Sequence, residues 1–359
     1  MKKSLIALAV LAAAGTASAQ SSVTLFGIVD ATLQRVSNDG TGGGSVTRLT
    51  QSGYNSSRLG FRGVEDLGGG MSASFWLEAG MQNDDGRGFA SNSNNQASGG
   101  GAATGGTQGL TFNRRSTVSL AGGWGELRLG RDYTPQFWNL TVFDPMGTNG
   151  VGTTQTLNSI ITGVTAVRAS NSIGYFLPGN LGGFYGQVQT YRGENSSTLA
   201  NSSDGNGNGI RLGWANGPFN VAIATSKTDY LAGDVKQSNI GGQWDFGPGQ
   251  LMAQYSKDDN GSVSGKGWLI GGLYGIGAGQ IRAAYSEYKT DLGAGADPKA
   301  KKFAIGYVHN LSKRTAVYTT YARVKNSNGS AASAAPGAAA GPAANADSDG
   351  FDLGIRHSF

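Results

Sequence analysis

The chain of 359 residues has no cysteine and only two histidines, His309 and His357. Disulfide frameworks, cysteine-held zinc, iron–sulfur clusters and thiol nucleophiles are excluded, and histidine-dependent chemistry nearly so. Charge is scarce: 14% of residues are Asp, Glu, Lys or Arg, against about 25% in soluble domains. Beyond the first few residues no long apolar run remains, and the mean hydropathy of −0.25 excludes a bundle of membrane helices. What is abundant is glycine, 61 residues, with 33 Phe, Trp and Tyr. Disordered chains carry more charge and fewer rings, and no Gly-X-Y period suggests collagen. A chain poor in charge and rich in glycine and aromatics fits a membrane-spanning β-barrel.

Residues 1–19 read as a cleaved signal peptide. Lys2 and Lys3 form a positive start, Leu5 to Gly15 a short apolar run, and Ala17-Ser18-Ala19 a small-x-small cleavage pattern. The chain from Gln20 to Phe359 reads as one exported domain, expected in the cell outer membrane.

From Val23 onward apolar residues alternate. Val23, Leu25, Gly27, Val29, Ala31 and Leu33 share one face, and Thr24, Phe26, Ile28, Asp30, Thr32 and Gln34 the other. Leu59 and Phe61 point outward with Arg58, Gly60 and Arg62 inward. Short Gly- or Pro-marked turns alternate with mostly longer polar connections, seven against eight. That pattern predicts an all-β fold, a 16-stranded antiparallel transmembrane β-barrel, with both termini on the short-turn side. Closure satisfies every backbone donor and acceptor in lipid. Aromatics beside turns predict an interfacial girdle: Trp76, Trp124, Tyr175, Phe176, Phe184, Tyr185, Phe219, Trp244, Phe246, Tyr274, Tyr307 and Phe359. The low-complexity stretches Ser91 to Gly106 and Ala331 to Ala346 read as external loops without a core.

A barrel of this strand number leaves an aqueous passage. The third long connection, after Pro135 and up to about Val167, carries Phe137, Trp138, Leu140, Val142, Phe143 and Met146. A solvated loop does not need those side chains, so we place it inside the barrel, against the wall. Arg58, Arg62 and Arg128 have inward parity. At residues 114 and 115 alternation allows either arginine to face the lumen. Several arginines, which keep their protons, predict an anion filter, so the expected function is passive diffusion with anion selectivity. The other channel considered is a substrate-specific one, for a sugar, which would carry an aromatic ladder. An enzyme is not expected: both histidines have outward parity near the short-turn end. Basic residues are spread over many strands, so nucleic acid is not an expected partner. No cofactor and no defined metal or calcium site is implied.

Particular strings carry a resemblance. Ser22-Val-Thr-Leu-Phe-Gly27, the stretch Ser57 to Gly70, Phe112-Asn-Arg114, Leu129-Gly-Arg131 and the terminal Gly354 to Phe359 together resemble the general porins of Gram-negative outer membranes, most of all the β-proteobacterial branch. The resemblance implies a homotrimer in lipid and lipopolysaccharide, passage of small anions and hydrophilic solutes, and a third loop forming a constriction. It implies wall arginines at Arg58, Arg114 and Arg168, with Arg115 as second choice to Arg114, and Arg62 and Arg128 as further lumen residues. It implies an opposing acid at Asp144, although Thr148 stands where the family often has a second acid. It also implies that Phe359 is read by the barrel-assembly machinery. Arg131, outward by parity, is expected as a latch to Asp84 or Asp85 of a neighbouring subunit.

Overall fold

The computed structural model describes residues 22–96, 107–154, 163–338 and 340–359. The leader expected at 1–19 lies outside the described residues, as does part of the second and third loops. The strands run in chain order. They are β1 Ser22–Asn38, β2 Ser45–Gln51, β3 Arg58–Gly68, β4 Met71–Gln82, β5 Arg87–Phe89, β6 Thr107–Gln108, β7 Arg115–Gly122 and β8 Gly125–Tyr133. One helix, α1 (Pro135–Val142), follows. Then come β9 Arg168–Phe176, β10 Phe184–Tyr191, β11 Gly207–Asn216, β12 Phe219–Thr228, β13 Val235–Asp245 and β14 Gly249–Asp259. The last are β15 Ser264–Ile276, β16 Gly279–Asp291, β17 Lys299–Asn310, β18 Thr315–Ser327 and β19 Ser348–Ser358.

All pairings are antiparallel, and β1 pairs with β19 from Ile28↔Ser358 to Asn38↔Ser348, so the sheet closes on itself. β2 and β3 both pair with β1 and form one wall strand interrupted at residues 52–57. β5 and β6 form a small ladder in the second loop. The wall therefore has sixteen strands, as the turn count predicts. The first loop is shorter than expected because β1 and β2 keep pairing up to Ser37↔Ser45, where Val46 and Val36 continue the alternation.

Alternation sets the two faces. Ile223, Ile240, Leu251 and Ile270 stand outward and exposed, while Ala222, Asn239, Met252 and Leu269 beside them are buried inside. Apolar exposure of this extent is stable only against lipid. The lower girdle holds Trp124, Tyr175, Phe184, Phe219, Trp244, Tyr274 and Phe359, near the short turns. Three expected members are corrected: Trp76, Phe176 and Tyr185 face the lumen, on the parity of Glu78, Ser172 and Gln187, and each lies under a guanidinium group. A second aromatic row lies at the other end of the wall, at Tyr255, Trp268, Tyr285, Phe303 and Tyr321.

The low-complexity loops also depart from expectation. Asn92, Asn95 and Gln96 are buried, and Asn95 bonds both Ser170 N and Ser170 O. Their short amides satisfy the loose ends of β9 and β10. In the Ala-rich loop Ala334 and Ala335 are buried. Ala335 joins a cluster with Val36, Met146, Val151 and Leu269, because alanine fits the narrow space between the wall and the third loop.

Candidate functional site

The third loop folds into the barrel because the wall opposite offers small residues and free amides. Pro135 starts α1 with a fixed φ suited to the first helical position. Asn139 donates to Ala222 O at 3.0 Å, and Asn239 donates to Gln136 O at 2.9 Å. Phe137, Leu140 and Phe143 are buried, and the Phe143 ring fills the place where Gly241 lacks a Cβ. Further along, Met146 and Val151 pack on Ala284, Ala304 and Ala322 of the wall. Asp352 accepts the Val151 amide at 2.8 Å.

The interruption at 52–57 comes from the other side. Asp30 accepts the amides of Tyr54 at 3.0 Å and Asn55 at 2.6 Å, turning this segment inward. Ser56 donates to Asn149 of the third loop at 2.8 Å.

Between loop and wall is a gap of about 400 Å³ lined by Arg58, Arg114, Arg168, Arg282, Tyr54 and Tyr133, among others. Arg114 and Arg168 both donate to Tyr133 Oη, at 2.9 and 3.0 Å. Arg168 lies 4.6 Å above the Tyr133 ring, and Arg282 4.8 Å above the Tyr54 ring. Stacking holds these planar cations in place, since desolvated cation–π contacts contribute about 2 kcal/mol. Glu78 is the carboxylate in contact with them: its Oε1 lies 2.5 Å from Arg114 Nε and 3.5 Å from Arg58 Nη1. Trp76 Nε1 donates to its other oxygen at 3.0 Å.

The structure thus brings Arg58, Arg114 and Arg168 together. Asp144 is corrected: it does not face the gap. It is buried and accepts the amides of Met146, Thr148 and Thr154 at 2.8, 3.1 and 3.3 Å. The turn of free amides gives the buried carboxyl its partners within the loop, away from the gap. Burial pushes its carboxyl above the usual range, against the pull of those amides and of Arg282. Arg282 and Glu78 are site residues that the sequence reading misses. The signal for each is inward parity: Arg282 alternates with Ala284 and Ser286, Glu78 with Trp76 and Ser74.

Both members of the Arg114–Arg115 pair face inward, at different heights, because Arg114 precedes the regular strand. Arg115 lies 3.8 Å from Asp132 and stacks 4.7 Å from Trp76. Arg62 lies 5.3 Å from the same ring, and Arg128 3.9 Å from Phe176 with Asp132 and Glu126 as partners. These three form a lower tier toward the short turns. Arg131 is turned by an irregularity between Gly130 and Asp132. It donates to Asn113 O, Asn92 O and Ser170 Oγ of its own chain. Asp85 pairs with Arg87. These intrachain bonds stand where an intersubunit latch was expected. Among the described residues no group of three or more His, Asp or Glu converges as a metal site would require.

The arrangement is a narrow wet passage walled by fixed cations. Comparison with known proteins agrees with it. The family model described as Gram-negative porin matches residues 5–329. The outer membrane porin protein 32 of Delftia acidovorans is 38% identical over 372 aligned residues, all of both chains. An outer membrane porin protein of Bordetella pertussis is 31% identical over 62% of this chain and 59% of its own. Among solved structures, an anion-selective porin from Comamonas acidovorans superposes with a TM-score of 0.80 and 34% identity, covering 94% of this chain and all of that one. OmpT of Vibrio cholerae shares the fold at a TM-score of 0.63 and 13% identity, covering 94% of this chain and 98% of its own. A sealed sixteen-strand wall, an inward third loop and similarity along the full length lead to one conclusion: the chain belongs to the Gram-negative porin family.

Proposed function

We propose that this outer-membrane porin passes small hydrophilic anions by passive diffusion, and that Arg58, Arg114, Arg168 and Arg282 make the passage anion-selective. The observation that carries this reading is the imbalance at the gap: four guanidinium groups against one touching carboxylate, Glu78. Such a ring favours anions, and low-dielectric walls focus its field. Arg62, Arg115 and Arg128 extend the positive track below, partly offset by Glu126 and Asp132. The resemblance to a porin described as anion-selective supports the same sign. The lumen aromatics lie under arginines rather than forming an open ladder, which disfavours the sugar-channel reading.

The test is the reversal potential across a planar bilayer in a KCl gradient. A chloride-side potential that shrinks in Arg58→Ala supports the reading; a potassium-side potential, unchanged by that substitution, overturns it. The same reading takes the chain as a homotrimer in a lipopolysaccharide-bearing leaflet, exported by a leader ending at Ala19 and assembled through Phe359. The Phe359 backbone pairs with Gly27 in both directions at 3.1 Å, so the last residue also closes the seam of the barrel.

A further inference from the structure

We propose that residues 333–335 of the Ala-rich loop form a wedge behind the third loop, locked in place by Lys302, and that this wedge sets the size of solute the passage admits. The proposal deepens the channel reading above and rests on it. Lys302 acts in it as a positioning residue, through the two loops and not on the solute.

A charged amine removed from water must find acceptors. Among the described residues Lys302, on β17, is the one lysine of the wall strands that turns into the barrel, and it is 1% exposed. It stands opposite Ser286 on β16 and Val324 on β18. Its Nζ donates to Ala334 O, in the loop between β18 and β19, at 3.1 Å. The carboxylates whose charges act on it are Asp144, in the third loop, and Asp352, which accepts the Val151 amide. Lys302 therefore meets a carbonyl of one loop and the fastening of the other. If the Ala-rich loop lifted away, a buried ammonium would lose its acceptor, so the lysine opposes that motion.

The wall holds the rest of this loop in the same way. Ala334 N donates to Ser348 Oγ at 2.9 Å, and Ser348 Oγ donates to Asn38 Oδ1 at 2.5 Å. Asn38 donates to Ala340 O at 2.7 Å, and Asn326 donates to Ala332 O at 2.9 Å and Ala346 O at 2.7 Å. An alanine-rich run has few bonding side chains of its own, so β1, β18 and β19 supply partners for its backbone.

The wedge bears on the third loop. Ala335 packs in one cluster with Met146 and Val151 of that loop and with Val36, Leu269 and Ala304 of the wall. Gly350, on β19, is the hollow where the two loops meet: a Cβ there would lie 2.7 Å from Val151 Cγ1 and 3.0 Å from Ala334 Cβ. Protein interiors are close-packed, so a methyl group more or less behind Val151 is passed on to the loop tip. Thr148 and Asn149, beside Val151 in the chain, line the gap. Thickness behind the loop thus becomes width in front of it. A thinner wedge lets the tip settle back and widens the passage; a thicker one narrows it.

The test is swelling of liposomes that hold the full chain, with a neutral monosaccharide and a neutral disaccharide as probes. Circular dichroism confirms that each variant is folded. In K302M the disaccharide-to-monosaccharide rate ratio should rise about threefold, because a narrow pore sieves by diameter. A335G should raise the ratio and A335V lower it, while K301M, on the outer face of the same strand, should match the wild type. The chloride-to-potassium permeability ratio should keep its wild-type value in all four, since the wedge acts on width and not on charge. The chain has no cysteine, so a thiol placed at the buried Val151 is a unique probe. Val151→Cys should resist a charged methanethiosulfonate and react about tenfold faster once K302M is added, as a buried carbonyl stripped of its donor favours local opening by that order. An unchanged sugar ratio in A335G or in folded K302M, or shifts of one sign in A335G and A335V, overturns the wedge. Equal protection of Val151→Cys with and without K302M overturns the lock. A fall in the chloride-to-potassium ratio of K302M with its sugar ratio unchanged makes Lys302 a charge of the passage, and likewise overturns the proposal. No entry of either sugar through the wild type overturns the channel reading itself.

Discussion

The carboxylate of Asp352, on the last strand, accepts the amide of Val151, at the tip of the third loop, at 2.8 Å. A second bond, from Gln34 at 3.0 Å, fixes the carboxylate from the first strand. The constriction is therefore pinned across the seam where the barrel closes. Asp352→Ala should free the tip, costing about 1–3 kcal/mol for the lost buried acceptor. Single-channel recordings should show broadened conductance levels, and the melting temperature in detergent should fall. Unaltered noise and melting would dismiss Asp352 as an anchor.

Arg282 approaches the gap from the wall opposite Arg114 and Arg168, and holds its place over Tyr54. Removing one unit charge at ~6 Å in a water-like medium changes the local anion population about threefold. Arg282→Ala should lower the chloride-to-potassium permeability ratio by about that factor, measured as a reversal potential. A ratio equal to that of the wild type would show that Arg282 has no part in selectivity.

Glu78 restrains the same cations. Glu78→Gln should raise the anion preference, because Arg58 and Arg114 lose their shared counter-charge. It should also destabilise the wall by about 1–3 kcal/mol, since a charge-assisted buried bond is lost. A rise in selectivity with a fall in melting temperature is the expected pair of results. A fall in selectivity would contradict the arrangement.

The wall is readable in the sequence because a period of two needs only neighbouring residues. Arg58, Arg62 and Arg128 follow from parity alone, and the inward third loop follows from its excess of rings. What cannot be read depends on contacts between distant segments. Arg282 meets Tyr54 across more than two hundred residues, and no local pattern marks that meeting. Asp144 is misread because an acid in a loop can face water or cap amides, and only the path of the backbone decides. Trp76 and Phe176 look like girdle residues by their nearness to turns; the arginines that cover them come from other strands.

Asp144 also gives a dependence on pH. Burial in the folded loop raises its carboxyl above the usual carboxylate range. The native state therefore binds the proton more tightly than the unfolded chain. Stability from this group is complete below the unfolded value and is lost as pH rises through the native one. The melting advantage of the wild type over Asp144→Asn should be largest near pH ~4 and smaller at neutral pH. An advantage that grows with pH would mean that the ionised form is the one the loop favours. Selectivity should change little in this variant, since the carboxylate is turned from the gap.

Gly241 and Gly242 are neighbours on β13 with opposite outlooks, and this supplies an internal control. A Cβ on Gly241 would stand 2.3 Å from Cδ2 of Phe143, in the seat of the third loop. On Gly242 the nearest atom is Val221 Cγ1 at 3.3 Å, on the lipid side. Overpacking of a fitted contact costs about 1–3 kcal/mol, and the loop can yield by moving toward the pore axis or out of the barrel. Gly241→Ala should lower the melting temperature and shift the single-channel conductance, while Gly242→Ala should leave the conductance at its wild-type value. If both variants conduct alike, Phe143 does not hold the loop, and the constriction is set by the bonds of Asn139 and Asp352 alone.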